Sequence, residues 1–99
     1  MNNQKVVLKY DIPEFPNLET SFNLDHPEEI LCPAIFVDPG SDHKWVPIAF
    51  EKSTELFYGY LFPEKTLDYF HLIDIIEMGG IPIIDWKPET LDVIFKMFN

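Results

Sequence analysis

Short apolar blocks, separated by proline, glycine and carboxylate clusters, set the rhythm of this chain. Residues 5–10, KVVLKY, are rich in β-branched and aromatic side chains and predict a first strand. The two prolines of DIPEFPNLE suit an extended or turning connection. TSFNL alternates weakly enough for a short strand, and DHPEE predicts a turn or a single helical turn with Asp25 as its cap. ILCPAIFV is a continuous apolar run that stops at DPGSD, a strong turn signal, and KWVPIAFE follows it. Residues 30–51 therefore predict an antiparallel hairpin with a rather long loop. ELFYGYLF at 55–62 predicts a third strand, in which Gly59 marks a bulge or a close backbone approach. Pro33 and Pro47 have no N–H for a ladder, so they belong at strand starts, bulges or edges.

The second half changes period. Pro63 closes the third strand, and the pattern predicts a helix from about Glu64 to Met78, stopped by Gly79. IPIIDW at 81–86 is short, β-branched and apolar, again strand-like. KPETLDVIFKMF predicts a closing helix, with Pro88 in its first turn, Glu89 complementing the dipole, and Leu91, Ile94, Phe95 and Phe98 at i, i+3, i+4 and i+7. Together these elements predict one α+β domain over residues 1–99, a small, mostly antiparallel sheet of three to five strands packed by two C-terminal helices.

The segment 66–80, TLDYFHLIDIIEMGG, is the least orderly of these elements when drawn as a helix. With about 100° between residues, Leu72, Ile76, Tyr69 and Ile73 fall on one stripe suited to a core. Asp68, His71, Asp74 and Glu77 occupy the opposite arc, but Leu67, Phe70, Ile75 and Met78 are interleaved with them. Two readings follow. The flanks are packed and only an acidic seam meets solvent, or Phe70 is an exposed anchor ringed by Asp68, His71, Asp74 and Glu77, selecting a basic partner.

Charge narrows the function classes. Seventeen carboxylates oppose seven lysines, with no arginine, for a formal net charge of -10. Nucleic acids and anionic membranes need a positive surface, so neither is an expected ligand. A cationic protein is, since a strong negative field steers such a partner inward. Cys32 is the single cysteine, which fits a reducing compartment, and no stretch reads as a secretory signal or a membrane span; the expected location is cytoplasmic.

Catalytic chemistry is weakly represented. Asp68, His71 and Asp74 are spaced three apart, but one helix cannot converge all three on an ion, and zinc favours cysteine and histidine at other spacings. Cys32 lies in an apolar run and reads as a small hydrophobe, and no serine sits in a nucleophile elbow. MGGIP lacks the spacing and lysine of a phosphate loop. The aromatic strand 55–62 is flanked by Glu51, Glu55 and Glu64, so packing is expected in place of RNA stacking. The expectation is a non-enzyme with no cofactor and no metal. Its physics fits an acidic protein-binding inhibitor of the immunity or antitoxin type, one that occludes a basic protein such as a nuclease toxin. The alternatives are a nucleic-acid mimic that blocks a DNA-binding or defence protein, and a homo-oligomeric subunit without catalysis.

Overall fold

A computed structural model describes residues 12–98; the predicted strand at 5–10 lies outside them. The fold is α+β. Its elements are β1 (Leu31–Cys32), β2 (Phe36–Val37), β3 (Lys44–Glu51), β4 (Leu56–Phe62), β5 (Thr66–His71), α1 (Leu72–Glu77), β6 (Ile81–Pro82), β7 (Glu89–Thr90) and α2 (Leu91–Met97). Five strands form one antiparallel sheet in the order β5-β4-β3-β2-β6, and β1 pairs separately with β7.

The long apolar run 30–37 divides at Pro33, which has no donor for a ladder. β2 then turns into β3, with Phe36 opposite Trp45 and Val37 opposite Lys44. Asp38 builds that turn: its carboxylate accepts the Gly40 N–H at 3.0 Å and the Ser41 hydroxyl at 2.8 Å. Those bonds, the backbone one foremost, hold its carboxyl below the usual carboxylate range. β4 returns along β3, and the register shifts between Pro47 and Ala49, leaving Ile48 as a bulge. Gly59 faces Pro47 at this point, so the bulge and the close approach expected at that glycine occur together.

Four predicted elements differ, and one is the strand at 81–86, which is confined to Ile81–Pro82 because the chain turns at Ile84 and Asp85. Residues 64–78 are not one helix: Thr66–His71 is strand, and only Leu72–Glu77 is helical. The β4 backbone offers a complete ladder to this segment, from Leu61 opposite Thr66 to Leu56 opposite His71, and that pairing overrides helix propensity. The closing helix begins at Leu91, because Glu89 and Thr90 pair with Cys32 and Leu31. TSFNL is not a strand; Asn17 and Asn23 draw their neighbours into turns, accepting the Glu19 N–H at 3.0 Å and the Asp25 N–H at 3.2 Å. DHPEE does form a helical turn, of 3-10 type, over Pro27–Glu29.

The sheet carries a core on each face. One joins Trp45, Phe57 and Phe70 to Leu72 and Ile75 of α1; the other joins Val46, Ile48 and Phe62 to Leu91 and Ile94 of α2. β3 is consequently buried from Trp45 through Ala49 without alternation, as expected of a strand covered on both sides. Among the described residues no charged or polar side chain is buried, so their carboxylates lie at the surface. No helix among them is long and apolar enough to cross a membrane.

Candidate functional site

The segment from β5 through α1 gathers the acidic residues singled out by sequence. Strand alternation places Thr66, Asp68 and Phe70 on the face that α1 covers, and Leu67, Tyr69 and His71 on the other. Phe70 is 6% exposed and stacks on Phe57 at 5.8 Å, so it is a core residue and not the exposed anchor considered from sequence. At His71 the chain turns into α1, and Asp74, three residues on, accepts the His71 N–H at 3.3 Å, the returning half of a capping box. The Asp74 carboxylate also lies 3.7 Å from the His71 ring.

α1 buries Leu72 and Ile75 and half-buries Ile76. Its outer side shows Ile73, Asp74 and Glu77, and Met78 caps it. Ile73 with Glu77, and Asp74 with Met78, are i, i+4 neighbours on that surface. Asp68, His71, Asp74 and Glu77 are thus exposed together along one continuous stretch. The apolar members of this surface are Ile73 and Met78, at 47% and 54% exposure, while Tyr69, 57% exposed, lies on the opposite face of the sheet. A helical wheel put Tyr69 and Ile73 in the core. The switch from a two-residue to a 3.6-residue period at His71 is the signal that exposes them.

Other chemistry-bearing groups sit apart. His26, Glu28 and Glu29 each bring a ligand atom within 4.8 Å of the others on the 3-10 turn, and all three side chains are exposed. They are the described residues best placed to hold a cation. Glu28 is held below the usual carboxylate range, chiefly by a backbone hydrogen bond and then by the His26 ring at 3.1 Å. A wide groove of about 750 Å³ runs between Pro33, Pro82, Ile84, Trp86 and Pro88, with Ile84 82% exposed on its rim.

Cys32 is fully buried, and desolvation pushes its thiol up to about 12 from 9.0. It is therefore a protonated apolar filler at neutral pH. The unfolded chain releases this proton near 9.0 while the fold retains it, so the stability tied to Cys32 is complete below pH ~9 and is lost as pH rises toward about 12. Urea unfolding from about pH 8 upward should show the wild type losing up to ~1.4 kcal/mol per pH unit above pH ~9 relative to Cys32→Ala. Parallel pH profiles for the two proteins would contradict this. Searches of family models, curated proteins and solved structures yielded no match to the chain.

Proposed function

We propose that this chain is a non-catalytic inhibitor that binds and occludes a basic protein, in the manner of an immunity or antitoxin protein facing a nuclease toxin. The observation that carries the reading is the outer side of β5 and α1, where the exposed carboxylates of Asp68, Asp74 and Glu77 accompany the exposed apolar side chains of Ile73 and Met78. Such a mixture suits a stable interface: carboxylates steer and register the partner, and apolar side chains contribute most when water is excluded from around them. A nuclease must present lysine and arginine to phosphate, and carboxylates from a plug of this kind compete for the same groups.

Binding to the product of the neighbouring gene, and to a non-cognate basic protein such as a lysozyme, tests the reading by titration calorimetry at two salt concentrations. The wild type should bind one partner selectively, and Asp68→Asn/Asp74→Asn/Glu77→Gln, which removes three charges but keeps an acceptor oxygen at each position, should weaken that binding by about a hundredfold or more, with circular dichroism unchanged. Ile73→Ser/Met78→Ser, which keeps every charge, should also weaken it. Equal, steeply salt-dependent binding to every basic protein would favour the nucleic-acid mimic instead. Selective binding untouched by both variants would move the interface off this surface.

A further inference from the structure

We propose that Asp68 and Asp74 are edge guards: their carboxylates occupy the outward N–H groups of β5 and prevent a second copy of this chain from adding its own β5 to the sheet. Among the described residues the sheet has two edges. β6 is two residues long and one of them is proline, so that edge is protected by brevity and by a missing donor. β5 is six residues long and paired with β4 throughout, so its outer side is the one a strand could extend.

Antiparallel donors alternate in direction along a strand. Leu72 N–H bonds inward to the Glu55 carbonyl at 2.9 Å, which places the amides of Phe70 and Asp68 inward and those of Leu67, Tyr69 and His71 outward. Two of these outward donors are already taken. Tyr69 N–H donates to Asp68 Oδ1 at 2.7 Å, and His71 N–H donates to Asp74 Oδ2 at 3.3 Å. One guard belongs to the strand and the other reaches back from α1, and both converge on the same edge.

The pairing they prevent is well defined. Two β5 strands related by a two-fold axis at Tyr69 would set Tyr69 against Tyr69 and Leu67 against His71, with backbone bonds exchanged in both directions. That union would cover Tyr69, now 57% exposed and packed against Tyr58 with ring centroids 4.8 Å apart. The device goes beyond the inhibitor reading and does not depend on it.

The test compares three double variants of the full chain. Asp68→Ala/Asp74→Ala removes acceptor and charge, Asp68→Asn/Asp74→Asn keeps an acceptor oxygen without charge, and Glu19→Gln/Glu64→Gln removes equal charge elsewhere. Light scattering after size exclusion gives the mass over a concentration series, and NMR gives amide exchange at Tyr69 and His71. The alanine variant should exchange both amides about tenfold faster when dilute, since the lost hydrogen bonds are worth roughly 1.4 kcal/mol each, and should dimerise when concentrated. The wild type, asparagine variant and glutamine control should stay monomeric. An alanine variant that is monomeric at every concentration, or whose amide exchange is unchanged, overturns the proposal. So does dimerisation of the asparagine variant or the control, or a wild type already paired through β5. Should loss of the α1 cap unfold the double variant, Asp68→Ala alone gives the same two readouts at Tyr69.

Discussion

Gly59→Ala is expected to destabilise the fold by on the order of 4 kcal/mol, a large share of what a domain of this size possesses. An added Cβ would lie 2.2 Å from the Val46 carbonyl oxygen, 2.5 Å from Pro47 Cα and 2.9 Å from the Val46 carbonyl carbon. All three are backbone atoms, so no side-chain rotation relieves the overlap and β3 must move away from β4 at its bulge. Gly80→Ala offers the comparison within the same protein. There the two nearest atoms are Ile75 Cγ2 at 2.4 Å and Trp45 Cζ3 at 2.8 Å, side-chain atoms that can partly yield, and the one backbone neighbour, the Ile75 carbonyl oxygen, is farther off at 3.0 Å. Its cost should be about half as large. Urea midpoints followed by circular dichroism decide the matter, and a Gly59→Ala midpoint close to wild type would refute the stated approach of the two strands.

Phe57→Ala should be comparably severe, about 3–5 kcal/mol. The ring is fully buried and meets four others: Phe50 at 4.4 Å, Phe15 and Phe36 at 5.7 Å, and Phe70 at 5.8 Å between centroids. These neighbours come from β2, β3, β5 and the segment before the first turn, so they cannot all close on the cavity without moving several strands. Phe57→Leu refills part of the volume and should recover roughly half the loss. Equal stability of the alanine variant and the wild type would mean that this aromatic cluster does not hold the sheet to α1.

Much of the fold was legible in the sequence where the local signals were strong. DPGSD placed the β2–β3 turn, Gly59 placed the close approach, and the spacing of Leu91, Ile94, Phe95 and Phe98 identified the packed side of α2. The failure at 64–78 has a physical cause. Leu67, Tyr69 and His71 share one side of a strand, but a helical wheel scatters them, which produced the mixed face. The carboxylates of the candidate surface survived that error because Asp68, Asp74 and Glu77 are solvated under either geometry. The apolar partners did not: Phe70 moved inward and Ile73 outward, since only the position of the strand–helix junction decides between them. Pairing of Glu89 and Thr90 with β1 was illegible because it depends on a strand far away in sequence.

The two-sided sheet has a consequence for the order in which a nascent chain can mature. β3, β4 and β5 follow one another through short turns and can assemble as soon as His71 is free of the ribosome. The pairing of Leu31 with Thr90, and the arrival of Leu91 and Ile94 on Val46, Ile48 and Phe62, must wait until residues 90–94 have emerged as well. Until then the sheet has one finished side and one bare apolar side. A transcript truncated just before Leu91 would yield a polypeptide able to complete the α1 side but permanently lacking the cover for the other, and so predisposed to aggregate.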